Sequence, residues 1–276
     1  MKTCFDFLGE EVSSESEAQV YIVPVPIEMT TSYIQGTDRA PRAIIDASRQ
    51  IELYNSAIDL DLEGAGIVTV GDAIRDRDEL FTFIKKHREQ LLGSFTCFIG
   101  GEHSITPWIL EALELEDVGI VWLDAHADLR EEYLGDSESH ACAARNSLRF
   151  GSLVEIGVRS YSREEYEFIS AENNVRVFRS LTGEAIEAVR SLPANIYLSI
   201  DYDTFDPSII PAVGTPEPGG MTWGCAMECL DLFFSEKRVV AMDAVELCPA
   251  EGSIASDFIA AKVIYEAISR FLQGEG

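Results

Sequence analysis

Short apolar runs of β character alternate with helix-type stretches over nearly the whole chain, and that alternation commits it to a parallel sheet covered by helices on both faces. The strands expected from it are Val20 to Pro26, Ile67 to Val70, Phe95 to Ile99, Val118 to Asp124, Leu153 to Val158, Val175 to Phe178, Ile196 to Asp201 and Val239 to Asp243. Helices are expected from Ala40 to about Tyr54, Asp78 to Leu92, Ile105 to Leu115, Cys142 to Leu148, Arg163 to Glu172, Glu184 to Ser191, Trp223 to Phe234 and Ser253 to Leu272. Pro41 suits a first helical turn, and Phe81, Ile84 and Leu91 are spaced for one buried face. The fold class is therefore α/β, and no linker, repeat or composition break divides residues 1–276, so one domain is expected.

Charge narrows the partners. Against 21 Lys+Arg stand 48 Asp+Glu, a formal net charge of -27, which excludes a basic nucleic-acid footprint. Acidic surface suits cationic small molecules, metals or plain solubility. No apolar run approaches the roughly 20 residues of a membrane span. The six cysteines include no C-x-x-C pair, and the first residues do not form a signal peptide, so a reduced, cytoplasmic protein is expected.

The chemistry collects where strands end. Ile120 to Leu129 runs as an apolar strand into Asp124, His126 and Asp128, side chains at alternate positions that point to one side in extended backbone. Close carboxylates repel unless a cation or proton lies between them. His103 follows the strand ending at Ile99, behind Gly100 and Gly101, while Asp201 and Asp203 close the strand that begins at Ile196. In open parallel sheets the ligand site lies outside the carboxyl ends of the strands, where all six fall. His87, in the charged stretch Lys85-Lys86-His87-Arg88, is expected at the surface. An oxygen-rich set of six ligands suits two manganese-type ions better than one structural zinc. Two such ions about 3.5–4 Å apart lower the pKa of a shared water, which implies hydrolysis.

Gly100-Gly-Glu-His-Ser-Ile-Thr106, Asp124-Ala-His-Ala-Asp128 and Ser199-Ile-Asp-Tyr-Asp-Thr-Phe-Asp-Pro207 resemble the three signature segments of the ureohydrolases, the arginase and agmatinase family. The resemblance covers almost the whole chain. It implies a three-layer α/β/α fold with a mostly parallel central sheet and two Mn2+ per chain. His103, Asp124, Asp128 and Asp201 would hold one ion, and Asp124, His126, Asp201 and Asp203 the other, so that Asp124 and Asp201 bridge. Glu102 departs from the family's usual Asp. Ser139-His140 resembles the loop whose histidine shuttles a proton, and Asp243-Ala-Val-Glu246 resembles the segment whose glutamate grips the guanidinium group. A carboxylate suits that role because guanidinium gives it two parallel hydrogen bonds. The implied mechanism is attack of a metal-bridging hydroxide on the guanidinium carbon, with Asp128 or His140 relaying a proton to the leaving amine. A homo-oligomer, trimer or hexamer, is implied as well.

The Gly214-Thr-Pro-Glu-Pro-Gly-Gly220 loop looks closer to the agmatinase branch than to arginase. No basic or amide cluster follows His140 to bind an α-amino acid; Arg145 and Asn146 come closest. A small cationic guanidino substrate is thus expected, first agmatine, giving putrescine and urea, with aminopropylagmatine, guanidinobutyrate and guanidinopropionate as alternatives. Two readings of other classes remain: a non-catalytic, metal-stabilised relative and a single-zinc deacylase.

Overall fold

The computed structural model describes residues 6–9, 12, 18–70, 74–252 and 254–275. In chain order its elements are β1 (Val20–Val25), α1 (Ala40–Ser48), β2 (Tyr54–Asn55), β3 (Leu60–Asp61), β4 (Ile67–Thr69), α2 (Arg77–Leu92), β5 (Phe95–Gly100), α3 (Ile105–Ala112) and β6 (Gly119–Leu123). There follow α4 (Ala143–Ser147), β7 (Leu153–Ile156), α5 (Arg163–Ala171), β8 (Val175–Phe178), α6 (Gly183–Ser191), β9 (Asn195–Asp201), α7 (Trp223–Glu236), β10 (Arg238–Val245) and α8 (Ile254–Glu275). Eight strands form one sheet in the order β4-β1-β5-β10-β9-β6-β7-β8, with every pairing parallel.

Alternation along the strands splits the core in two. Val121 and Leu123 of β6 pack with Ile196, Leu198 and Ile200 of β9 under α1, α6, α7 and α8. Ile120 and Trp122 of β6 and Tyr197 of β9 face α2, α3 and α4 on the other side. This is the expected three-layer α/β/α arrangement. No helix among the described residues is long and apolar enough to cross a membrane.

Several element ends differ from expectation for local reasons. The first helix stops at Ser48, not Tyr54: residues 49–53 lead into the antiparallel β2–β3 hairpin, which α8 holds through Tyr265 OH to the Leu53 carbonyl (3.2 Å) and Asn55 Nδ2 to Glu266 Oε2 (3.0 Å). Helix α3 ends at Ala112 because Glu114 turns left-handed at φ 51°. On α2 it is Leu80, with Ile84 and Leu91, that is buried, while Phe81 is half-buried. His87 is also half-buried, its ring 4.9 Å from that of Phe83. The predicted start of the last helix, Ser253, lies outside the described residues, as does Cys4.

Sheet order decides where the site forms. Strands β5, β10, β9 and β6 are consecutive neighbours, so the segments leaving their carboxyl ends crowd into one place. Register aligns those ends: Ala244 pairs with Ile99, Val245 with Asp201, and Ile200 with Leu123.

Candidate metal centre

Each side chain of the centre is set by the turn that carries it. After β5, a Cβ on Gly101 would sit 2.1 Å from the Ile27 carbonyl oxygen, so only glycine lets the β1 and β5 loops approach. The Glu246 amide then donates to the Gly101 carbonyl (2.8 Å), and the His103 amide donates to Glu246 Oε1 (2.7 Å). These two bonds tie the loops after β5 and β10 together. After β7, Gly157 at φ 113° passes the Asp124 carbonyl at a distance no Cβ would tolerate. Asp128 and Glu246 themselves adopt left-handed backbone, at φ 49° and 66°, a conformation that disfavours non-glycine residues and collects at functional sites.

The six predicted ligands are brought together. His103 Nδ1 lies 3.2 Å from Asp124 Oδ2, 3.3 Å from Asp201 Oδ2 and 3.5 Å from Asp128 Oδ2. His126 Nδ1 lies 2.8 Å from Asp203 Oδ2 and 3.7 Å from Asp124 Oδ1. The ligand-capable atoms form two groups, His103/Asp124/Asp128 and Asp124/His126/Asp203, which share Asp124. One Asp124 oxygen faces each histidine. Asp201 sits beside the first group and accepts the Asp203 amide on Oδ1 (2.7 Å).

The electrostatics are those of a cation site. Burial, then Asp124, raises the Asp128 carboxyl well above the usual range; burial, then Asp203, does the same to Asp201. Burial works against charge on Asp124, yet His103 and His126 hold its carboxyl well below that range. Burial likewise opposes charge on His126, but Asp203 and Asp124 outweigh it and push the imidazole up to about 12. His103 Nδ1 is buried and has no hydrogen-bond partner. A buried Nδ1 set against three carboxylate oxygens and lacking a hydrogen bond fits a bound divalent ion, which satisfies the nitrogen and the oxygens together.

Three residues outside the expected set orient the ligands. Asp243, fully buried, accepts hydroxyls from Ser199 on Oδ1 (2.6 Å) and from Tyr197 (2.7 Å) and Thr106 (2.8 Å) on Oδ2. Since Ser199 gives its proton to Asp243, its Oγ accepts from His103 Nε2 (2.8 Å), which puts the imidazole proton on Nε2 and leaves Nδ1 free to ligate. Trp122 stacks on His103, ring centres 4.1 Å apart, and donates Nε1–H to Asp124 Oδ2 (2.9 Å). The available signal was polar residues interrupting apolar strands on one face: Ser199 and Asp201 in β9, Asp243 in β10. Ser199→Ala is expected to weaken metal affinity by about 10–100-fold, the usual effect of losing an outer-shell partner. Competition against a fluorescent chelator measures it.

Glu102, the departure from the family's Asp, makes its own set of contacts. Its Oε2 accepts the Met29 and Thr30 amides, both at 2.7 Å, and its Oε1 accepts the hydroxyls of Ser104 (2.6 Å) and Thr30 (2.9 Å). The Thr30 hydroxyl thus spends its proton on Glu102 and accepts from His140 N (3.0 Å) and His140 Nδ1–H (2.9 Å). This turns His140 Nε2 to the cavity. Burial lowers the His140 pKa from its ordinary value, keeping the ring a neutral base.

A cavity of about 310 Å³ opens over the centre, lined at its floor by His126, Asp128, Asp201, Asp203, His140 and Glu246. Burial, then Glu102, pushes Glu246 up to about 8, and a cation beside it would hold it ionised. Arg145 and Asn146 do not line the cavity: Arg145 lies over the Phe168 ring (4.2 Å), and Asn146 donates to the Ser137 carbonyl (2.8 Å). Arg130, which the sequence reading passed over, does line it.

The chain has relatives among known proteins. The Arginase family profile matches residues 18–269. An N(1)-aminopropylagmatine ureohydrolase of Synechocystis sp. is 34% identical over 284 residues, covering 94% of this chain and 90% of its own. An agmatinase of Pyrococcus horikoshii is 34% identical, covering 91% and 92%. The crystal structure of the agmatine ureohydrolase of Thermoplasma volcanium superposes with a TM-score of 0.84 at 30% identity, covering 95% of this chain and 92% of that one.

Proposed function

The chain belongs to the arginase family and is a ureohydrolase, and from that membership we propose that it hydrolyses agmatine or a close linear guanidino amine to urea and the corresponding amine, putrescine for agmatine. The observation that carries the substrate reading is Glu246. Its carboxylate lies on the cavity floor with Oε1 fixed by the His103 amide, beside both His/Asp groups. A planar guanidinium set on it stands next to the ligand cluster.

The resident cofactor in this reading is two Mn2+ per chain. His103, Asp124, Asp128 and Asp201 would hold one ion, and Asp124, His126, Asp201 and Asp203 the other; the buried, unpartnered His103 Nδ1 supports the fit. When bound, such a pair makes a water nucleophilic at neutral pH and offsets negative charge in the transition state. The chain's own residues do the rest. Glu246 binds and orients the guanidinium. Asp128, on the cavity floor, is placed to relay a proton towards the leaving amine. His140, with Nε2 towards the cavity, carries the proton to and from solvent as the amine leaves. The reading takes residues 1–276 as one cytoplasmic domain acting as a homo-oligomer.

Because these carboxylates and imidazoles hold protons that an ion must displace, metal loading is expected to release protons and to weaken as pH falls from 8 to 6. The change is about tenfold per pH unit for each proton released. Calorimetric titration of Mn2+ in buffers of different ionisation enthalpy checks it. Urea release from agmatine, aminopropylagmatine, arginine, guanidinobutyrate and guanidinopropionate by the manganese-loaded enzyme tests the substrate reading. Strong preference for arginine would overturn it.

A further inference from the structure

Above the floor, the described residues of the cavity wall offer a far-end ammonium no free carboxylate. Glu165 is the one acid there, and both its oxygens are committed: Oε2 accepts the Ser162 amide (2.6 Å) and Oε1 the Leu129 amide (3.1 Å). The first of these bonds belongs to the capping box that starts α5, so Glu165 cannot turn towards a ligand without uncapping the helix. Arg130 reaches towards the same acid, Nε to Oε2 4.0 Å, with its guanidinium 5.2 Å from the centre of the Tyr133 ring. One face of Tyr133 is therefore already covered by a cation.

Two further tyrosines line the cavity at its rim. Tyr33, from the loop after β1, is 75% exposed, and Tyr161, from the loop after β7, is 50% exposed. Among the described residues neither ring lies against a cation of the protein, though Tyr161 turns one face towards Tyr166, ring centres 6.5 Å apart. Tyrosine faces attract ammonium groups, and rings at a wet rim do so without closing the pocket.

Resting on the reading that the guanidinium sits on Glu246, we infer that Tyr33 and Tyr161 determine specificity at the far end of the substrate. They take the ammonium of a linear guanidino amine on their ring faces, and a chain that continues beyond that ammonium runs out to solvent between them. The substrate class is thus guanidino amines in which the far nitrogen is primary or carries a further aminoalkyl arm. An anionic far end would instead be drawn to Arg130, whose charge Glu165 answers only at 4.0 Å.

The test is kcat/KM of the manganese-loaded enzyme on agmatine, aminopropylagmatine, 4-guanidinobutyrate and butylguanidine, which has no far charge. The variants are Tyr33→Leu, Tyr161→Leu, their combination, and the matching Phe substitutions. Wild type is expected to hydrolyse both amines. The double Leu variant is expected to lose about tenfold on the amines relative to butylguanidine, through KM, at roughly two- to fivefold per ring, while the Phe variants keep the wild-type ratio. Butylguanidine turnover in each variant verifies that it folds. An unmoved ratio overturns the inference, as does a loss that Phe shares with Leu, which would make the hydroxyl the contact. So does a preference for 4-guanidinobutyrate that Arg130→Ala removes. A wild-type enzyme that releases urea from none of the four defeats the underlying reading as well, a result distinct from an unmoved ratio.

Discussion

Asp124→Asn is expected to leave the fold intact and to remove activity by roughly 10⁴-fold or more, because each charge-stabilising group at a reacting centre is worth about 10²–10³ and this residue serves two ions. Asp124 is the member common to both ligand groups. One oxygen faces His103 and receives Trp122 Nε1–H; the other faces His126 and receives its amide at 2.7 Å. An amide keeps the size but puts an NH2 where one of those oxygens must ligate. Metal content by mass spectrometry of the purified variant should fall well below two ions per chain, with the circular dichroism spectrum unchanged. Retention of both ions would show that Asp124 does not bridge.

Glu246→Gln separates substrate binding from metal binding. The glutamine Oε1 can still accept the His103 amide, so the tie between the β5 and β10 loops survives. What disappears is the negative charge under the guanidinium. Breaking a buried, hydrogen-bonded charge pair costs about 2–5 kcal/mol. A fall in kcat/KM of roughly 30- to several thousand-fold is therefore expected, with metal content as in the wild type. Steady-state urea release and metal analysis on one preparation check both halves. A variant that lost its metals would place Glu246 among the structural supports of the centre instead.

The layers and most strands were legible in the sequence because apolar runs of β-branched residues leave few other options. The ends of those runs were legible for the opposite reason: Asp124, Asp201 and His103 stand where an apolar strand meets acid or imidazole, an arrangement that costs free energy without a partner. The end of α1 was not, since Gln50 to Tyr54 favour a helix locally and only the contacts with α8, far along the chain, draw them into a hairpin. The supports of the centre stayed hidden as well. That Asp243 reaches Ser199, and Ser199 reaches His103, depends on β10 lying between β5 and β9, and strand order leaves no local trace. The left-handed backbone of Asp128 and Glu246 is likewise imposed by the surrounding loops.

Anomalous diffraction from a crystal of the manganese-loaded protein, collected at the manganese edge, tests the central claim most directly. The account predicts two peaks per chain on the floor of the cavity, one contacting His103 and Asp128, the other His126 and Asp203, with Asp124 touching both. A single peak, or a second ion held away from Asp124, would contradict it.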